Sequence, residues 1–155
     1  ALVRLAGQVH DIGKLSVPVE ILTKTDTLGD QDWRALREHP ETGRRMLDSL
    51  GVGVVAEWVL HHHERWDGAG YPDRLHGDQI PKGARILAVA DAWDTMTSDR
   101  PYKAAATPRD AMTECLAESG KQFAPEVVAA LQSVVGPEGE LARHPAPEDA
   151  ANQVA

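Results

Sequence analysis

The sequence predicts an all-α protein, a helical bundle of about six to seven helices without a sheet. Two observations carry this. Apolar residues recur at helical spacing in most segments, and alternating strand-like runs are almost absent. The segments are separated by stretches rich in Gly, Pro and Asp.

Each element can be justified in chain order. Residues 1–12 place Leu2, Leu5, Val9 and Ile12 at helical spacing and read as the end of a helix. Residues 15–29, holding Pro18 and Gly29, read as a connector. A helix is expected from Asp30 to His39, where Pro40 forces a kink or break. The helical pattern resumes from Glu41 to Leu50 and is punctuated by Gly51 and Gly53. Residues 54–66 are expected to form the helix that delivers the run His61-His62-His63. Residues 67–82 read as loop. The helix from Gly83 to Thr97 is apolar through Ile86, Leu87, Val89, Ala90, Ala92 and Trp93, so it is expected to be the most buried. Thr107-Pro108 supplies an N-cap and a first-turn proline for a helix reaching Ser119 and stopped by Gly120. Pro125 opens a last helix ending near Val135. The tail from Gly136 is expected to be disordered. One domain over residues 1–135 follows.

Composition narrows the function. The chain has 155 residues, 42% of them hydrophobic and 26% charged, as suits a soluble globule. No apolar run approaches the ~20 residues that span a bilayer. The single cysteine, Cys115, excludes an internal disulfide, fits a reducing cytoplasm and falls at an apolar helical position, where a packed thiol is expected. A net charge of −8 and the lack of a basic block argue against duplex nucleic acid as a partner. The chain opens on Ala1 without a Met, so a piece of a longer protein is expected.

The chemistry concentrates in a few positions. Histidine is the commonest metal ligand, and five of the seven histidines (His10, His39, His61, His62 and His63) precede the turn Asp67-Gly68-Ala69-Gly70-Tyr71-Pro72. His10 is followed by Asp11. Asp91 sits mid-helix among apolar residues, a costly place for a carboxylate unless it is paired or metal-bound. His62 and His63 lie about 100° apart on a helix, so both can face one site only if the helix end points into it. Trp33, Trp58, Trp66 and Trp93 read as core or half-buried packing and not as guanine-stacking platforms.

These residues bring a family into view. His10-Asp11-Ile12-Gly13-Lys14, His39, His62-His63-Glu64, Asp67-Gly68, Gly70-Tyr71-Pro72 and Asp91 closely resemble the HD-GYP branch of the HD phosphohydrolase superfamily. The intervals agree: 29 positions from His10 to His39, 23 to His62, and 28 from His63 to Asp91. The resemblance covers residues 1–135. It implies an HD-domain helical bundle with two or three divalent metals, acting in bacterial signal transduction as a cyclic di-GMP phosphodiesterase that yields pGpG or GMP.

Carried over by position, the resemblance gives Asp11 as a bridge between two metals, His10 and Asp91 completing one, and His39, His62 and His63 binding the other. Lys14 would contact the scissile phosphate, and Arg100 and Lys103 look like the family's phosphate-contacting pair. Gly70, Tyr71 and Pro72 would form a loop near the site, linked to substrate packing and to partners such as diguanylate cyclase (GGDEF) domains. A regulatory module that binds cyclic dinucleotide or such a partner without hydrolysis is the alternative, and a hydrolase of another cyclic dinucleotide is a second.

The chemistry fits on its own terms. Two cations about 3.5–4 Å apart can share a hydroxide and clamp the attacking and leaving oxygens of an in-line displacement. Imidazole with carboxylate ligation suits iron or manganese, and zinc, nickel or cobalt also fit. Ligand histidines must be neutral, so metal occupancy is expected to fall below pH about 6.5.

The family's domain begins with a helix bearing a further metal-binding histidine. The nine residues before His10 hold no His, Asp or Glu. The resemblance therefore implies either a trimmed chain or an incomplete first metal shell, with uncovered apolar surface that invites a homodimer. Gly29 and Ala124 stand where Thr and Asp are usual, the latter at the cost of an N-cap worth ~1 kcal/mol.

Overall fold

A computed structural model describes residues 1–99 and 104–136. Among the described residues, seven helices of eight or more residues form the bundle: α1 (Leu2–Val9), α3 (Asp30–Arg37), α4 (His39–Asp48), α5 (Gly53–Leu60), α6 (Lys82–Thr97), α7 (Pro108–Ala117) and α8 (Pro125–Val135). A single-turn helix α2 (Val19–Leu22) interrupts the expected connector, and 3-10 turns cover Ile12–Ser16 and Gly77–Gln79. No strand occurs among the described residues, only an isolated bridge between Ser119 and Phe123.

Local chemistry sets most boundaries. Pro40 breaks the chain as expected: α3 stops at Arg37 and α4 begins at His39 with Pro40 in its first turn. At the start of α3 the missing Thr is partly offset, because the Asp32 carboxylate accepts the Gly29 N–H at 2.9 Å. Thr107 caps α7, its hydroxyl accepting from the Asp110 N–H at 3.1 Å. Ala124 gives α8 no such bond.

Two apolar clusters hold the bundle. Ala6, Leu47, Val55, Ala56, Val59 and Leu87 join α1, α4, α5 and α6. Val89, Cys115, Phe123, Ala124, Val127 and Val128 join α6, α7 and α8. Cys115 is fully buried, and burial pushes its thiol pKa up, as a packed thiol requires. The most buried helix is α5 and not α6. Four of the eight α5 residues are inside, whereas the sixteen of α6 bury only Gly83, Ala84, Leu87 and Val89. The apolar stretch of α6 spreads over both clusters and the site, and part of it, at Ile86 and Ala90, lines an open apolar groove. Trp58, Trp66 and Trp93 are half-buried against these clusters. Trp33 departs from the expectation and stands 50% exposed on α3. Leu2, Val3 and Leu5 form an exposed apolar face on α1.

A close backbone crossing lies where the 3-10 turn after His10-Asp11 meets α4. A Cβ on Gly13 would overlap the His39 carbonyl oxygen and sit 2.7 Å from the Gly43 nitrogen. Both are backbone atoms and cannot rotate away. Gly13 therefore sets how closely His10-Asp11 approaches His39. Gly13→Ala should lower stability by at least about 2 kcal/mol, read as a lower urea midpoint. Gly7→Ala is the control: its added Cβ meets only Leu87 at 4.0 Å, so stability should change by less than about 1 kcal/mol. A Gly13→Ala protein as stable as the parent would contradict the close crossing.

Candidate metal centre

The end of α1, the start of α4, the turn after α5 and the middle of α6 converge on one point. His10 Nε2 lies 3.4 Å from Asp11 Oδ2 and 3.6 Å from Asp91 Oδ1. His39 Nε2 lies 3.4 Å from Asp11 Oδ1 and 3.4 Å from His62 Nε2. The His63 ring is 4.0 Å from that of His62 and 5.0 Å from that of His39. All six residues expected as ligands are thus brought together. Ligand atoms of His39, His62 and His63 all lie within 4.8 Å of one another, as one metal requires.

The histidine run does not sit on a helix. α5 ends at Leu60, and His61–His63 form a turn in which the Glu64 N–H donates to the His61 carbonyl. On a continuous helix His62 and His63 would diverge by about 100°; the turn aims both into the site. The bonds that end the helix also orient the ligands. His62 Nδ1 donates to the Val59 carbonyl at 2.6 Å, which satisfies an oxygen orphaned at the helix end.

The same device recurs at two other positions. His39 Nδ1 donates to the Leu36 carbonyl at 2.6 Å, and His10 Nδ1 to the Gly7 carbonyl at 2.8 Å. A carbonyl can only accept, so each Nδ1 carries the proton, and the neutral ring turns its Nε2 lone pair inward. His61 differs. Its Nδ1 meets the Glu57 carbonyl at 3.0 Å and its Nε2 the Asp73 carboxylate at 2.9 Å, so neither nitrogen is left for a metal. It is a buried strut.

The donors fit a divalent cation. His10 Nε2 and Asp11 Oδ1 are buried without a hydrogen-bond partner. Each orphaned polar atom costs ~1–3 kcal/mol, and a cation is what satisfies a cluster of inward lone pairs and carboxylate oxygens. Lys14 Nζ sits 2.7 Å from Asp11 Oδ2, the other oxygen of that carboxylate.

The Gly70-Tyr71-Pro72 segment is strapped to the histidine turn. The Tyr71 N–H donates to the His63 carbonyl at 3.2 Å, and the Asp73 N–H to Glu64 Oε1 at 2.7 Å. A Cβ on Gly70 would strike the Glu64 and Arg65 backbone. The Tyr71 ring stacks on His63, with centroids 5.0 Å apart and planes 23° from parallel. Burial pushes its phenol up to about 12, so it stays neutral. Gly70 and Tyr71 line a cleft of about 450 Å³ with His62, His63 and Asp91, whereas Pro72 faces a separate cleft beside Arg44 and Arg45. Arg100 and Lys103 lie outside the described residues. Sequence reasoning gave no role to His61, Asp73 or Arg37. For the first two, a histidine within the run and an acid closing the Gly-Tyr-Pro turn were the available signal.

With this geometry in view, the comparisons with known proteins bear directly on the chain. The HD domain family matches residues 1–127. The chain belongs to that family. Among relatives of this HD domain, a cyclic di-GMP phosphodiesterase of Pseudomonas aeruginosa is 46% identical over 143 residues, covering 90% of the chain and 34% of that protein. A cyclic di-GMP phosphodiesterase of Thermotoga maritima is 40% identical over 131 residues, 83% of the chain and 36% of that protein. The 3'3'-cGAMP-specific phosphodiesterase 2 of Vibrio cholerae is 38% identical over 133 residues, 84% of the chain and 26% of that protein. The HD domain spans about a third or less of the length of these relatives. Among the described residues, no helix is long and apolar enough to cross a membrane.

Burial sets the protonation of three of the four histidines. Burial, then neighbouring imidazoles, lower His62 to about 4 and His63 to about 2, and burial also lowers His39. His62 and His63 are neutral well below pH 6.5, and burial favours the neutral form of His39 as well. His10 goes the other way, raised by Asp91 and then by the Gly7 carbonyl and Asp11 against burial. Asp91 is correspondingly lowered by His10. At 3.6 Å this pair is an electrostatic contact, not a hydrogen bond. His10 is therefore the histidine of the cluster whose charged form its neighbours favour.

The sign of the stability effect follows. A histidine lowered in the fold contributes fully above its unfolded value of 6.5, and that contribution is lost as pH falls toward the folded value. His10, raised, adds stability below 6.5 and loses it as pH rises through its folded value; Asp91, lowered, loses its contribution only in the carboxylate range. Three depressed imidazoles outweigh one raised. The urea midpoint of metal-stripped protein should fall between pH 6.5 and 4, by the equivalent of a few kcal/mol, roughly. His63→Gln should make the slope shallower. An unchanged midpoint over that range would contradict the burial of neutral imidazoles.

Proposed function

We propose that this HD domain is the catalytic part of a metal-dependent phosphodiesterase that hydrolyses cyclic di-GMP to pGpG or GMP. The observation that carries the reading is the convergence of His10, Asp11, His39, His62, His63 and Asp91 beside a cleft large enough for a nucleotide. The relatives named as cyclic di-GMP phosphodiesterases support the substrate. His39, His62 and His63 would hold one divalent metal and His10 and Asp91 another, with Asp11 between them; iron or manganese suits this set. When bound, such metals supply a nucleophile at neutral pH and neutralise charge on the phosphoryl oxygens.

The chain's own groups do the rest. Lys14, held by Asp11, places a positive charge beside the carboxylate where a phosphate oxygen would sit. The Nδ1 bonds hold three imidazoles in place before substrate arrives, so no reorientation accompanies the reaction. Tyr71 is neutral and can donate a hydrogen bond or pack against substrate; it is not a base. Arg100 and Lys103 are proposed to add phosphate contacts. The same reading carries the cytoplasm as location, diguanylate cyclase domains as partners of the Gly-Tyr-Pro loop, and a homodimer formed through the Leu2, Val3 and Leu5 face.

A second reading rests on the Vibrio cholerae relative, named for 3'3'-cGAMP. The intact protein loaded with Mn(II) or Fe(II) should convert cyclic di-GMP to linear products, read by chromatography. Asp11→Asn and His63→Gln should each lower kcat more than about 100-fold. Preference for 3'3'-cGAMP in a substrate panel would select the second reading. Full metal loading without turnover of either dinucleotide would defeat both.

A further inference from the structure

Arg37, the last residue of α3, has no part in the roles assigned so far. Its Cζ lies 5.4 Å from the centroid of the Tyr71 ring, and Tyr71 in turn stacks on His63. Guanidinium, phenol and imidazole thus form a column running from the metal centre to solvent. Arg37 lines the same cleft as His62, His63 and Asp91.

Among the described residues, the charge balance of that cleft isolates Arg37. Arg65, the other guanidinium lining it, is already committed: it donates to Asp67 Oδ1 at 3.1 Å, to Asp67 Oδ2 at 2.8 Å and to Gln122 Oε1 at 3.0 Å. Lys14 is bound to Asp11. Arg37 has no carboxylate partner among the described residues, and Arg34 already offers a cation to the last turn of α3. In a chain of net charge −8, a guanidinium with no carboxylate partner among the described residues, held over an aromatic ring beside the histidine cluster, is a ready anion site.

A cyclic dinucleotide carries two phosphodiesters in one ring. With one at the metal centre next to His63, the other is displaced along the cleft. Arg37 lines that cleft one ring beyond His63, with Tyr71 between them at 5.0 Å and 5.4 Å. We infer that Arg37 anchors the phosphodiester that is not being cleaved, its planar fork pairing with the two free oxygens while Tyr71 holds the guanidinium in place. The inference rests on the cyclic-dinucleotide reading above. It makes Tyr71 a positioning residue for Arg37.

The test is calorimetry on the full chain loaded with Mn(II), using a hydrolysis-resistant phosphorothioate analogue of cyclic di-GMP. Arg37→Gln should weaken binding at least tenfold with metal content unchanged, and Arg37→Lys, a point charge without the fork, should recover only part of the loss. Tyr71→Leu should weaken binding as well, and the double variant should bind about as Arg37→Gln does, because the two residues act as one unit. Binding by Arg37→Gln within threefold of the parent would overturn the inference, as would a loss that tracks loss of metal, or additive effects of the two substitutions. If the metal-loaded parent does not bind the analogue, this inference and the substrate reading fall together. If it binds the analogue yet does not hydrolyse cyclic di-GMP, only the hydrolase reading falls.

Discussion

Three hydrogen bonds from imidazole Nδ1 to a backbone carbonyl three residues earlier organise the centre. They choose the tautomer, fix the ring plane and aim the Nε2 lone pairs of His10, His39 and His62 at a shared point. For His62 the bond also closes the end of α5, so helix termination and ligand orientation are one event. The arrangement is costly without a cation. It buries lone pairs that no donor satisfies, at His10 Nε2 and Asp11 Oδ1. A cation bound here would satisfy these atoms, and its binding would then be coupled to folding.

Assembly of the centre depends on two close glycine contacts, at Gly13 and Gly70. Gly13 lets the chain after His10-Asp11 lie against the His39 backbone, and Gly70 lets the Tyr71 segment lie against that of Glu64. Neither position needs unusual backbone freedom; each needs the absence of a Cβ. His61 and Glu64 complete the second crossing by gripping Asp73 at its side chain and its N–H. The residues between the histidine pair and Pro72 thus read as a brace that sets where Tyr71, and with it Arg37, stands over the metal site.

Much of this was legible in the sequence. Pro40, Thr107-Pro108 and Pro125 marked helix starts through fixed φ and capping, which are local effects. The converging cluster was legible because His10-Asp11, His39, His62-His63 and Asp91 are polar groups placed where apolar packing predominates. The end of α5 was missed because Val59, Leu60 and Trp66 keep a helical pattern across a segment whose imidazoles instead cap the helix. Trp33 was misjudged because an aromatic residue on an amphipathic segment does not reveal which neighbour will be absent. α6 looked most buried from its apolar content, but burial depends on what packs around it. Arg37, on a polar helix, resembles any solvated charge until Tyr71 is seen beneath it.

If the six converged side chains hold metal, anomalous diffraction from crystals of the intact protein grown with Mn(II) will show it. Strong anomalous density is expected among His39, His62 and His63 and beside Asp11, between His10 and Asp91. Well-ordered protein with no anomalous density at these residues, or with manganese bound only elsewhere, would contradict it.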